Sequence, residues 1–142
     1  MIAEIDIRLS NQLSELDRVV EELEAFLEEA EVPTRARFNI NLAVDEFVSN
    51  AINYGYPDGR AGEIDIHLAR RDDRLAMTLR DDGDAFDPFT APEPDIEASI
   101  EDRRIGGLGV HLVRKLADEF SYRREGERNV VSITLKFAAD AT

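Results

Sequence analysis

The sequence predicts an α+β fold, a two-layer sandwich in which a mostly antiparallel sheet is covered by helices on one face. Two observations carry this prediction. Segments of alternating apolar and polar residues fall mostly into hairpin pairs, and segments with apolar residues at helical spacing stand between them. The order β-α-α-β-β-loop-α-β-β then leaves helices that must share one face of the sheet.

Ile5, Ile7 and Leu9 alternate with Asp6 and Arg8, the pattern of a short half-buried strand. Ser10 is placed to cap the next element. From Asn11 to Glu31, Leu13, Leu16, Val20, Leu23 and Leu27 recur at three- and four-residue steps, and the run EELEAFLEEAE supplies the outward acids of an amphipathic helix. Val32 and Pro33 break it, and Thr34 is placed to cap a second helix running to about Tyr54. Its apolar side is Ile40, Val44, Phe47, Val48, Ala51 and Ile52.

YPDGRAG is rich in turn residues, and EIDIHLA and RLAMTLR then alternate around the polar turn Arg70 to Arg74, which predicts a hairpin. From about Ala85 to Ile105 the sequence has three prolines, many acids and little apolar pattern. A loop of that length inside a compact domain points to a lid or a binding segment. GGLG opens a third helix, VHLVRKLADEF, and two strands, Phe120 to Arg124 and Val130 to Phe137, flank the turn EGERN. The expectation is one domain over residues 1–142.

A chain of 142 residues can build one proper core but not two ordinary ones. Seventeen basic against 31 acidic residues give a net charge of −14, which disfavours nucleic acid and anionic membrane surfaces as partners. The absence of cysteine rules out disulfides and thiolate-held metals. The start MIAEIDIRLS is acidic and alternating rather than basic then apolar, so neither a signal peptide nor a membrane span is expected. Together these predict a cytoplasmic protein.

The polar arc of the second helix has an unusual composition. In DEFVSNAINYGY, Glu46, Asn50 and Asn53 share a narrow arc, with Ser49 and Asn39 at its margins, opposite Val44, Ala51 and Ile40. A solvated face is the ordinary reading of such an arc, but Asn and Ser are poorer helix formers than the Glu, Lys, Gln or Arg that usually fill one. A carboxylate and an asparagine at i and i+4 project together. Glu46 can orient a hydroxyl or water while Asn50 offers an oxygen to a hard cation such as Mg²⁺, which takes few protein ligands beside phosphate and water.

DDGD at 81–84 reads either as a hairpin turn or as a binding site. In the second reading Asp81 accepts a hydrogen bond from a buried amine and Gly83 lets a flat ring approach the backbone. Gly106, Gly107 and Gly109 are either a flexible helix entry or an anion site, since exposed backbone N–H groups and the helix dipole attract phosphate. Without GxxxxGK[ST] or a strand-GxGxxG-helix unit, neither a P-loop nor a Rossmann site is on offer. Arg103 and Arg104 either balance the acids of the loop or meet a phosphate. His67 and His111 lack a second histidine at ligand spacing and read as structural residues.

Taken in order, ExxxN on a helix, DxGx after a strand, a long lid and a glycine turn into a helix resemble the GHKL superfamily of ATPases, the Bergerat fold. Within it the sequence is most similar to bacterial anti-sigma factor serine/threonine-protein kinases, through NLAVDEFVSNAINYGY, LRDDGDAFDP and RRIGGLGVHLVRKLADEFSYRREGERNVVSITL. The resemblance implies ATP and Mg²⁺ as cofactors, with Glu46 as catalytic carboxylate and Asn50 as Mg²⁺ ligand. It implies Asp81 at the adenine amino group with Gly83 beside it, and Gly106, Gly107 and Gly109 around the phosphates at the base of a lid at about 85–105. Arg104 is a candidate phosphate contact, and Ser132 is the candidate hydroxyl on the last strand beside the adenine. Ala85 stands where the wider pattern DxGxG has glycine, and Asn53 where histidine is common.

The function this implies is an ATP-binding anti-sigma factor. It would phosphorylate a STAS-type anti-anti-sigma protein on serine or threonine, hold a sigma factor and form a homodimer. The competing expectation is a non-catalytic ATP-binding module acting as a partner switch.

Overall fold

The computed structural model describes residues 2–90 and 108–137. The elements are β1 (Ile2–Ser10), α1 (Leu16–Glu29), α2 (Thr34–Gly55), β2 (Glu63–Arg71), β3 (Arg74–Asp81), α3 (Leu108–Leu116), β4 (Glu119–Glu125) and β5 (Arg128–Lys136). Short 3-10 turns, Leu13–Glu15 and Pro88–Thr90, precede α1 and follow β3. Among the described residues the strands and helices follow the predicted order, and the fold is α+β.

The five strands form one antiparallel sheet in the order β1-β2-β3-β5-β4. Side chains alternate across a strand, so register decides which residues face the helices. Ile7 opposite Ile66, Ile66 opposite Leu79, and Leu79 opposite Val131 form one buried row. Leu68, Met77 and Ile133 form the next. Onto these rows pack Val19, Leu23 and Leu27 of α1, Ile40, Val44, Phe47 and Val48 of α2, and Val110 and Val113 of α3. The other face carries charged and small polar residues, including Asp6 bonded to His67 at 2.7 Å and Arg8 paired with Asp65 at 3.2 Å. His67 is thus a sheet-surface residue.

Three predicted boundaries move, each for a local reason. Ser10 does not cap a helix: it ends β1, and its hydroxyl donates to the Glu15 carboxylate at 3.0 Å. Thr34 begins α2 without a side-chain cap. The third helix stops at Leu116 rather than Phe120, because the Asp118 amide turns to the Thr134 carbonyl at 2.9 Å and Phe120 enters β4 opposite Ile133.

Arg70 joins the sheet to the helical layer. It is buried on the inner face of β2 and donates to the Ala30 and Glu31 carbonyls at the C-terminus of α1 and to the Asp72 carbonyl. Positive charge at a helix C-terminus is where the backbone dipole favours it. Among the described residues no helix is long and apolar enough to cross a membrane.

Candidate functional site

The site is assembled where the C-terminal half of α2, the end of β3 and the first turn of α3 meet. Along α2, Glu46 is half-buried, Asn50 is 8% exposed, and Asn53 is exposed. The arc read from sequence as polar is therefore graded: its middle is covered and its end is wet. Burial, and then the neighbouring Asp45 charge, push the Glu46 carboxyl above the usual carboxylate range.

Gly109 in the first turn of α3 faces this carboxylate. A Cβ added there would lie 2.0 Å from Glu46 Cδ and 2.2 Å from its Oε1, so the glycine is what lets the helix entry approach Glu46. Asn50 is largely buried as a residue, and its carboxamide has no hydrogen-bond partner among the described residues. An amide oxygen not engaged by protein fits a ligand to a hard cation, and Mg²⁺ asks no more than one or two such groups from a protein when phosphates and water complete its shell. Among the described residues no cluster of three acidic or histidine side chains offers an all-protein metal cage.

The DDGD segment is not a hairpin turn. After Asp81 the chain leaves the sheet, and β3 pairs next with β5, far along the sequence. Asp81 is the last residue of the buried row on β3, and burial raises its pKa against the opposing effect of hydrogen bonds from Asn129 and Gly83. Gly83 donates its N–H to Asp81 Oδ1 at 2.9 Å. It also packs on Gly55 at the end of α2, where an added Cβ would stand 2.8 Å from the Gly55 Cα. The Asp84 amide bonds the Gly55 carbonyl at 2.7 Å, tying the strand exit to the helix end.

The following residues lean on the same layer: Phe86 stacks on Tyr54 at 5.2 Å, and Phe89 meets Phe47 at 5.5 Å and Phe120 at 4.8 Å. Beside them Tyr56 donates to Asp82 at 2.7 Å, and burial together with that bond raises its hydroxyl pKa well above the ordinary value.

Of the residues chosen from sequence, Glu46 and Gly109 are in contact, and Asp81 and Gly83 are bonded to one another. Arg103, Arg104, Gly106 and Gly107, with most of the lid at 85–105, lie outside the described residues. Ser132 is corrected by register. Asn129, Val131, Ile133 and Leu135 face the helices, so Ser132 points to the other side of the sheet, with its hydroxyl 3.5 Å from that of Thr78.

The inner-face residue at Asp81 is Asn129, which by sequence pattern alone belongs to the turn EGERN. Asn129 Nδ2 donates to Asp81 Oδ1 at 2.9 Å, and the residue is 3% exposed. The signal was available: counting back by twos from Leu135, Ile133 and Val131 arrives at Asn129. Arg124 of β4 was also missed; it donates to the Gly83 carbonyl at 2.8 Å.

An antiparallel sheet with helices on one face, a buried carboxylate at the exit of its middle strand and a glycine in the first turn of α3 beside a half-buried glutamate is the arrangement of a GHKL-type ATPase. The chain belongs to the histidine kinase-like ATPase domain family, whose pattern matches residues 9–135. It is 28% identical over 107 residues to the serine/threonine-protein kinase BtrW of Bordetella bronchiseptica, covering 75% of each chain. It is 31% identical over 86 residues to the serine-protein kinase RsbW of Bacillus subtilis, covering 57% of this chain and 53% of that one. With the RsbW of Staphylococcus aureus JH9 the identity is 33% over 89 residues, covering 59% and 56%. The matched region thus spans about half the length of the RsbW relatives. The family and the names of these relatives together support a kinase that uses ATP.

Proposed function

We propose that this chain is an ATP-dependent protein serine/threonine kinase that also acts as an anti-sigma factor. It transfers phosphate to a STAS-type anti-anti-sigma protein and holds a sigma factor when that antagonist is phosphorylated. The observation that carries the kinase reading is the half-buried Glu46 carboxylate against the glycine entry of α3. A carboxyl with a raised pKa is suited to take a proton, and a helix entry beside it supplies N–H groups for a phosphate. The sigma and STAS partners and the homodimer rest on the sequence resemblance, and the cytoplasmic setting rests on composition and the N-terminal pattern.

In this reading Asp81 accepts a hydrogen bond from the adenine amino group, and Gly83 allows the ring to lie against the backbone. Asn50 is a ligand to Mg²⁺, which when bound would neutralise phosphate charge that no P-loop lysine is present to meet. Gly106, Gly107 and Gly109 wrap the phosphates, with Arg104 as a further contact. Glu46 orients the partner's serine or threonine hydroxyl. As its oxygen bonds the γ-phosphorus and the bond to the ADP oxygen breaks, the hydroxyl proton passes to the Glu46 carboxylate. Phosphoryl transfer needs little beyond such positioning and charge stabilisation.

The test is incubation with Mg-ATP and STAS proteins from the same genome, reading the mass of each intact partner. A gain of one phosphate with wild type, absent with Glu46→Ala, supports the kinase. Tight ATP binding with no transfer to any partner supports the non-catalytic switch instead. Failure to bind ATP removes the nucleotide site altogether.

A further inference from the structure

Asn129 holds Asp81 through a network that admits one orientation of its amide. Its Oδ1 accepts from the Tyr122 hydroxyl at 2.6 Å, the Phe86 amide at 3.2 Å and Arg124 Nη1 at 3.2 Å. Its Nδ2 donates to Asp81 Oδ1 at 2.9 Å and to the Asp84 carbonyl at 2.8 Å. Donors surround one end and acceptors the other, so a flipped carboxamide would set donor against donor and acceptor against acceptor. Among the common side chains of this size, a hydroxyl is too short to serve both ends and a carboxylate has no hydrogen to donate.

The consequence falls on Asp81. Its Oδ1 takes two hydrogen bonds, from Asn129 and from the Gly83 amide, which fix the plane of the carboxylate. Its Oδ2 takes none among the described residues. We propose that Asn129 is a positioning residue for base recognition: by occupying Asp81 Oδ1 it presents Oδ2 to an exocyclic amino group, and so sets a preference for a purine with an amino group at the 6-position over one with a carbonyl there. This rests on the reading of Asp81 as the base contact. A 6-carbonyl would meet the fixed Oδ2 as acceptor against acceptor. A loosely held carboxylate could turn away and lose that discrimination.

The experiment compares calorimetric dissociation constants for ATP and ITP, whose bases differ in the 6-amino and 6-oxo groups. It uses wild type, Asn129→Ala and Asp81→Ala, with thermal melts to verify folding. Wild type is expected to prefer ATP. Asn129→Ala is expected to weaken ATP about ten-fold, the loss of one hydrogen bond to a charged group, while ITP changes by less than about two-fold. Equal weakening of both nucleotides would mean a merely structural role and would overturn the proposal, as would no change in either. If Asp81→Ala leaves ATP affinity intact, the base-site reading falls and the proposal with it. If Asp81→Ala weakens ATP but Asn129→Ala keeps the ATP-to-ITP ratio, the proposal alone falls. Should Asn129→Ala melt early, Asn129→Asp keeps the shape and the acceptor end but cannot donate, and a retained ratio in that variant would equally overturn the proposal.

Discussion

Gly109 at the mouth of α3 and Glu46 on α2 stand so close that a single methyl group on the glycine would overlap the carboxylate, 2.0 Å from its Cδ. The atoms in conflict belong to the far end of a flexible side chain rather than to backbone. Relief is therefore cheap in stability and expensive in geometry: Glu46 swings aside and the helix stays. Gly109→Ala is expected to keep its melting temperature within about 2 °C, since the displaced group only changes rotamer. Phosphoryl transfer should fall by about ten-fold or more, because small misplacements of a catalytic group are costly. A melt alongside a transfer assay decides it, and wild-type turnover would show that Glu46 need not stand where it does.

Gly83 gives the opposite balance. An added Cβ there meets the Gly55 Cα at 2.8 Å and the Gly55 carbonyl oxygen at 2.9 Å, and backbone cannot step aside. Gly83→Ala must push the strand exit from the end of α2 and strain the bond between the Asp84 amide and the Gly55 carbonyl. Overpacking of this sort costs about 1–3 kcal/mol. Urea denaturation should report that loss. A variant as stable as wild type would mean that the two segments are not in firm contact.

Arg70 separates fold from function. Replacing it with alanine removes the donor from the buried Ala30 carbonyl and breaks the partly buried bonds to the Glu31 and Asp72 carbonyls. The expected cost is about 3 kcal/mol, the scale for lost bonds to a charged group plus exposed acceptors. Because these contacts lie at the junction of α1 with the β2–β3 turn, ATP affinity measured below the melting range should be unchanged. A large loss of affinity in folded protein would contradict that separation.

The sequence carried the element order because alternation and helical spacing are imposed by burial, and the same core rows that Ile66, Leu79 and Val131 form in space were visible as period-two runs. It offered Glu46 because the asparagines and serine that share its helix arc are odd there, and Asp81 because a strand-end carboxylate is followed by a glycine. What it missed was set across strands. Ser132 looked suitable by type, but a one-residue step puts it on the opposite face from Asn129 and Val131. Asn129 looked like a turn residue, and only the pairing of β3 with β5 brings it to Asp81 across 48 positions of sequence. The end of α3 was misplaced for a related reason: Phe120 fits a helical stripe as well as a strand, and the Asp118 amide bonding Thr134 decides for the strand.

Glu46 makes the last prediction, through pH. Burial, and then the charge of Asp45, raise its native pKa above the ordinary 4.5, so the folded state holds this proton more tightly than the unfolded chain does. The stabilisation from that proton is complete below the unfolded value and is lost as pH rises through the raised native value. Glu46→Gln removes the ionisation while keeping the shape. Its melting temperature should therefore equal or exceed that of wild type near pH 7, and the difference should shrink toward pH 4. Transfer should drop about 100-fold or more in the same variant, the usual worth of a positioned proton acceptor. In wild type the acid limb of the transfer rate should lie above the usual carboxylate range, since the base works only when ionised. Parallel stability profiles for the two proteins between pH 4 and 7 would show that the Glu46 carboxyl is not shifted. Transfer by Glu46→Gln at the wild-type rate would show that it takes no proton.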